Sequence, residues 1–441
     1  MRTLLFLVFS VAVLLRAQQT PQGSTEKDQQ TSSAPTDSEA AEKAQQREMQ
    51  ELAHSLQEGN SPNDYIRALE AHIARYPNSS RLVDIEKLLA KSAIEAHDDK
   101  RLIQYGIKVL DREPEDLTLL DRVSRAFLNT DSKESYQKAL EYAQRYETVV
   151  RNSRSRPAPG RMSAGQWSDE LDHAEGRALA LQARASGKMG NIKPAIDLAA
   201  RAWKAYPTAE AAREWAKWLN EGGDSAGAVQ HYAWAFTIED PRSTATERAK
   251  DRALMGEIYS KTHGSEKGLG DVVLAAYDLT RTAVDERVEK LKEIDPNVQA
   301  SKILDFTLPG ANGKDLPLST LKGKTVVFDF WATWCGPCKA QRPLYQKVEE
   351  KFKNDSSVVF LSVNTDEDRS VVGPFLKAQN WNQPVYYDGG LTDYLKVSSI
   401  PTTLVLDGNG RVVSRMNGFI PDRFVELLTA RIKETTGETR P

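Results

Sequence analysis

Apolar and polar positions fall into two regimes along this chain. From about Glu48 to Asp295 the sequence is dense in Ala, Leu, Glu, Lys and Arg, residues that lose little on entering a helix, so an all-α region is expected. Past Ala300 a strand pattern takes over. The run Thr325-Val326-Val327-Phe328-Asp329-Phe330-Trp331 is β-branched and aromatic, which predicts a buried central strand. Ala332, Thr333 and Trp334 then make a short turn. From Cys335 the period changes, with Leu344, Val348 and Phe352 recurring at helical spacing on one face. Strand, turn and helix are therefore predicted in succession, with Cys335 at the helix N-terminus.

Within the helical region Ala183, Ala195, Ala202 and Pro207 are matched by Ala216, Ala228, Ala235 and Pro241, a period of about 33–34 residues that resembles tetratricopeptide repeats. Small residues let two helices approach closely, and each proline ends a unit. Ala68 to Pro77, Ile103 to Pro114 and Met255 to Tyr259 read as more degenerate copies. Such a solenoid offers a concave surface to a protein or peptide. Trp203, Trp215, Trp218, Tyr232 and Trp234 are expected to pack between helices rather than to cage a ligand. The Arg- and Pro-rich stretch Arg151 to Arg161 breaks the periodicity and reads as a solvated linker, with contact to an acidic partner as the alternative.

The first residues carry a different signal. Arg2 precedes an apolar stretch from Leu4 to Leu15, short for a membrane span and matched to a signal-peptide core, with Ala17 as a small residue for cleavage. Residues 1–17 are thus expected to be a signal peptide, an uncleaved anchor being the alternative. Residues 18–46 are rich in Gln, Ser, Thr, Glu and Pro and read as a disordered low-complexity tether.

The only two cysteines of the 441 residues lie in Trp334-Cys335-Gly336-Pro337-Cys338. At a helix N-terminus, unpaired N–H groups and the positive end of the dipole stabilise a thiolate, and the pKa in such Cys-X-X-Cys settings falls to roughly 3.5–7.5. Cys338, three residues on, comes within bonding reach, so Cys335 is expected to attack and Cys338 to resolve. A zinc site would need further ligands, yet the six histidines all lie well upstream. A purely structural disulfide closing so short a loop would remove little unfolded-state entropy. An inert pair would leave the flanking strand and helix unexplained.

The segment Asp329 to Lys339 resembles the thioredoxin active site, and Ile400-Pro401-Thr402-Thr403 resembles the loop that faces the dithiol in that superfamily. The resemblance implies a cis Ile400–Pro401 bond, a substrate backbone held by Ile400, Pro401 and Thr402, and an apolar rim from Trp331 and Trp334, with core packing as the alternative for Trp331. Asp407-Gly408-Asn409-Gly410 reads as a hairpin turn, with a closing helix from about Pro421. Asp305 to Leu308, the turn at Gly310 to Gly313 and Leu318 to Lys324 resemble the opening hairpin of the exported, membrane-partnered branch of TlpA and ResA type, and residues 366–390 resemble its inserted helix and strand. That branch commonly has Asn where Asp329 stands, whereas ordinary thioredoxins have a buried Asp. A buried carboxyl has a raised pKa and can take the proton of the resolving thiol. Ser362 stands where plain thioredoxins carry lysine, which implies a different proton route.

The expected architecture is multidomain, with an all-α, tetratricopeptide-like region over residues 47–296 and an α/β thioredoxin-fold domain over 297–436. The expected function is an exported thiol-disulfide oxidoreductase with catalytic Cys335, Cys338 and Asp329. Trp334, Gly336, Pro337, Ile400, Pro401 and Thr402 would contact substrate. Gly336-Pro337 resembles reducing members, so net reduction of disulfide-containing protein substrates is expected, in a periplasmic or other extracytoplasmic compartment, with a membrane-embedded thiol electron donor and a further partner on the helical surface. No cofactor or metal is expected. A net charge of -3 argues against nucleic acid. Two other classes remain: a scaffold or assembly factor whose redox domain only docks, and a peroxidase of the peroxiredoxin kind, which has threonine three residues before a single attacking cysteine.

Overall fold

The computed structural model describes residues 37–159 and 162–437. The expected signal peptide and most of the expected tether lie outside the described residues. Helix α1 already begins at Asp37, inside the stretch expected as tether. The sequence there, Ser38-Glu39-Ala40-Ala41-Glu42-Lys43-Ala44, is made largely of good helix formers.

Twelve α-helices among the described residues precede the first strand. They are α1 (Asp37–Gln57), α2 (Pro62–Arg75), α3 (Leu82–Glu95), α4 (Asp99–Arg112), α5 (Leu117–Asn129), α6 (Lys133–Ser153), α7 (Ala164–Lys188), α8 (Ile192–Ala205), α9 (Ala209–Glu221), α10 (Ser225–Thr237), α11 (Ala245–His263) and α12 (Leu269–Ile294). None is long and apolar enough to cross a membrane. The chain groups into two compact units. One runs up to Val149 and includes Ala178–Leu198, and the other comprises Val150–Arg177 and everything from Ala199.

In the first unit, side chains of Asp98 and Asp116 cap α4 and α5 by accepting otherwise unpaired N–H groups. Ile66, Leu69, Ile85, Leu89, Leu110 and Leu120 fill its interior. In the second unit, Thr208 and Asp224 cap α9 and α10, and Thr244 with Glu247 forms a full capping box on α11. The alanines of the sequence period, Ala183, Ala195, Ala202, Ala216, Ala228 and Ala235, are all fully buried. Trp203 and Trp215 meet Trp234 with ring centres 5.0 and 5.8 Å apart, and Trp218 and Tyr232 are buried, so the aromatic set packs between helices. Arg154 of the basic stretch is tied to Asp172 at 2.7 Å and Glu175 at 2.6 Å on α7.

The sheet also belongs to the second unit. A small hairpin, β1 (Thr307–Leu308) and β2 (Leu316–Pro317), leads into β3 (Thr325–Trp331), α13 (Gly336–Phe352), β4 (Val358–Asn364), α14 (Val372–Ala378), β5 (Val385–Tyr387), α15 (Leu391–Leu395), β6 (Thr402–Leu406), β7 (Val412–Asn417) and α16 (Phe424–Thr436). The five-stranded order is β5-β4-β3-β6-β7, with β3 parallel to β4 and antiparallel to β6. This is the thioredoxin fold that the resemblance implies. Residues 366–390 supply α14 and β5, and Gly410 turns the closing hairpin at a φ of 77° that favours glycine.

All seven residues of β3 are buried, and their alternation sorts them between two layers. Val326, Phe328 and Phe330 face a core with Leu308, Leu318, Leu361 and Leu404. Val327 faces Tyr345, Val348, Phe424, Leu428 and Ile432 of α13 and α16. Asp329 shares the parity of Val327 and so turns toward α13.

The segment after α12 is pinned to this fold. Asn297 donates from Nδ2 to the carbonyls of Thr307 (2.9 Å) and Gly389 (3.1 Å) and accepts the Thr307 N–H at 2.7 Å. Asp295 accepts the N–H of Gly165 at 3.0 Å on its Oδ2.

Candidate active site

Cys335 is the N-cap residue of α13, and Pro337 occupies the first turn where its missing N–H costs nothing. The Cys335 Sγ accepts the N–H of Cys338 at 3.1 Å. This places one of the helix's unpaired donors on the sulfur, the arrangement that favours a thiolate. The two cysteines are joined as a disulfide with Cα atoms 5.3 Å apart. Both are nearly closed to solvent, Cys335 at 3 % and Cys338 at 4 % exposure, beneath Val372, Phe375 and Trp381 of the 366–390 segment.

The expected site residues divide into rim and floor. Trp334 is 66 % exposed, and Gly336 and Pro337 are exposed beside it. Ile400 is partly buried against the dithiol, and its bond to Pro401 is cis. Pro401 and Thr402 are buried, with the Thr402 hydroxyl donating to the carbonyl of Ser399 at 2.7 Å. Trp331 does not join the rim. It is 1 % exposed, packs 4.8 Å from Trp381 between ring centres, and donates from Nε1 to Ser362 Oγ at 2.7 Å. Ser362 therefore serves as acceptor for a buried indole.

Asp329 lies on β3 opposite Ser362 and Thr403. Asp329 is 5 % exposed, and burial pushes its pKa up to about 7, with Arg342 opposing and Glu349 adding to the rise. Gln341, which the sequence reading did not single out, donates from Nε2 to Asp329 Oδ1 at 3.0 Å and to Thr403 Oγ1 at 3.3 Å. It sits three residues after Cys338 on α13, which puts both on one helix face. Its spacing from Cys338 was the only available signal. Its amide oxygen is buried without a hydrogen-bond partner.

Comparison with known proteins bears on this site. Residues 300–415 match the AhpC/TSA family. The thiol-disulfide oxidoreductase ResA of Bacillus subtilis is 35% identical over 143 residues, which is 32% of this chain and 79% of that protein. A ResA of Bacillus cereus is 32% identical over 116 residues, 26% of this chain and 66% of that protein. The solved structure of StoA from Bacillus subtilis is 27% identical and covers 29% of this chain and 94% of that one, with a TM-score of 0.26.

Proposed function

Because the chain belongs to the ResA-like thiol-disulfide oxidoreductases, we propose that it reduces disulfides of partner proteins outside the cytoplasm through the Cys335/Cys338 couple, while its helical region binds a partner. The observation that carries this reading is the Cys335 sulfur at the N-cap of α13, accepting the Cys338 N–H.

The Cys335 thiolate attacks one sulfur of a substrate disulfide, forming a mixed disulfide and releasing the other substrate sulfur as a thiolate that takes up a proton. Cys338 gives its proton to Asp329 and displaces the second substrate sulfur, leaving the Cys335–Cys338 bond and a substrate dithiol. Asp329 suits this role because its pKa of about 7 lets it exchange a proton at neutral pH. Gln341 spans from the helix of Cys338 to that carboxyl. Trp334, Gly336 and Pro337 form the rim, and Ile400, Pro401 and Thr402 flank the substrate backbone. A membrane-embedded thiol donor would return two electrons per cycle.

For the arm, the support is a cavity of about 450 Å³ in the second unit, lined by Val229, Gln230 and Trp234 of α10, Tyr259 and His263 of α11, and Leu279 of α12. The tetratricopeptide spacing and the division at residue 296/297 belong to the same proposal. Ala332 stands three residues before Cys335, where the peroxidase pattern has threonine.

Cys338→Ser in the full chain, produced in its native compartment, tests the proposal. Adducts to exported proteins through Cys335 are expected. Absence of adducts alongside normal folding would contradict it.

A further inference from the structure

We propose that Asp366, at the tip of β4, is a positioning residue for the dithiol: it holds the turn that delivers Cys335 to the head of α13. The proposal rests on the Cys335/Cys338 couple being the redox centre.

Cys335 is reached through a β-turn, closed by the Cys335 N–H donating to the Ala332 carbonyl at 3.1 Å. The inner residues of that turn are Thr333 and Trp334. Thr333 points both of its donors at one carboxylate, N–H to Asp366 Oδ2 at 2.7 Å and hydroxyl to Oδ1 at 2.8 Å. Asn364 adds a third donor, from Nδ2 to Oδ2 at 2.7 Å, and its own Oδ1 accepts the Asp366 N–H at 3.1 Å. Asp366 is 2 % exposed and Asn364 fully buried, so the acceptor carboxylate is largely shielded from water, while Thr333 is partly buried. One residue earlier, Thr365 donates its N–H to the Trp331 carbonyl at 2.8 Å. The tip of β4 thus grips Trp331 and Thr333, two contacts across a parallel pair that ends in register at Trp331 and Asn364.

The chemical consequence follows from the N-cap geometry. The sulfur of Cys335 meets the Cys338 N–H only while the turn holds Cys335 outside the helix with extended ψ. Hydrogen bonds to a charged acceptor are the stronger class, and here they fix the turn two residues ahead of the sulfur. Loosening it weakens donation to the thiolate, which disfavours the reduced form and leaves the disulfide comparatively more stable. The same turn carries the exposed Trp334, so rim and nucleophile are set by one carboxylate.

The experiment equilibrates the full chain with glutathione and glutathione disulfide, so that the chain disulfide plus two thiols gives the dithiol plus one glutathione disulfide. Native chain, Asp366→Ala, Thr333→Val and Thr333→Ser are compared, with thermal unfolding as the check on folding. Asp366→Ala and Thr333→Val should shift the equilibrium about tenfold toward the chain disulfide, which is about 30 mV for a two-electron couple, and raise the pH midpoint of Cys335 alkylation. Thr333→Ser keeps the hydroxyl and should stay with the native chain. If Asp366→Ala does not fold, the Val and Ser pair decides. Folded variants whose equilibrium matches the native chain would overturn the clamp, as would a Ser variant shifted as far as Val. A native chain whose Cys335–Cys338 bond is not reduced even by excess dithiothreitol would instead overturn the redox centre itself.

Discussion

Gln341 reaches from α13 to Asp329 on β3, Nε2 to Oδ1 at 3.0 Å, and so joins the helix of the resolving cysteine to the buried carboxyl beneath it. The carboxyl is costly to ionise in that place. The amide offsets part of the cost by donating to its charged form.

This cost should be visible in stability. Asp329 has its pKa raised from 3.8 to about 7 in the folded chain, so the folded state binds the proton more tightly than the unfolded state. Its contribution is therefore most favourable below about pH 4, declines as pH rises toward 7, and is flat above. Asp329→Asn should stabilise the redox domain by roughly 2–4 kcal/mol at pH 8, with the gain vanishing near pH 4. Urea unfolding at the two pH values checks this. A gain that does not change with pH would point to a packing effect.

Catalysis should move in the opposite sense. If Asp329 takes the Cys338 proton, it acts only when ionised, so the rate of substrate release rises with pH through about 7. Asp329→Asn should slow that step roughly 10²–10⁴-fold, the usual worth of a positioned base, and abolish the rise. Gln341→Leu removes a donor to the carboxylate and should push the rise to higher pH. Stopped-flow reduction of a protein disulfide between pH 5 and 9 reads both.

Much of this site is legible in the sequence. The apolar run of β3, the break at Ala332 and the new period from Cys335 fixed strand, turn and helix, because each signal is local. The partners were not local. That Gln341 meets Asp329 depends on the phase of α13 over the sheet, and that Asp366 holds Thr333 depends on two strands ending at the same level. The rim position expected for Trp331 does not hold: an indole suits rim and core alike in a sequence, and its burial with the Nε1 bond to Ser362 is what assigns it to the core. In the helical region the alanine period was readable, but the grouping into two units depends on contacts that spacing does not encode.

Ser362 provides a separate test of that assignment. Ser362→Ala would leave the Trp331 Nε1–H buried without an acceptor, and such an orphan costs about 1–3 kcal/mol. The loss should appear in chemical denaturation with the Cys335/Cys338 exchange equilibrium unchanged. A neutral substitution would mean that the indole finds another partner.

The join between arm and redox domain can be cut at two places. A fragment starting at Asp295 keeps the three Asn297 bonds to Thr307 and Gly389, and one starting at Ala300 loses them. Both should fold and reduce insulin at a rate near that of the full chain. The shorter one should be less stable by roughly 1–3 kcal/mol, on the net worth of a few hydrogen bonds. A well-folded but inactive fragment would show that the arm takes part in the chemistry.

The central claim, that Cys335 is the thiolate presented by the head of α13, is tested most directly by alkylating the reduced full chain across pH and resolving the two cysteines by mass spectrometry. Cys335 should react first, with a midpoint below the roughly 8.5 of a free thiol and within the ~3.5–7.5 range of such sites, while Cys338 remains largely unmodified at neutral pH. Faster labelling of Cys338, or a Cys335 midpoint at or above that of a free thiol, would contradict the account.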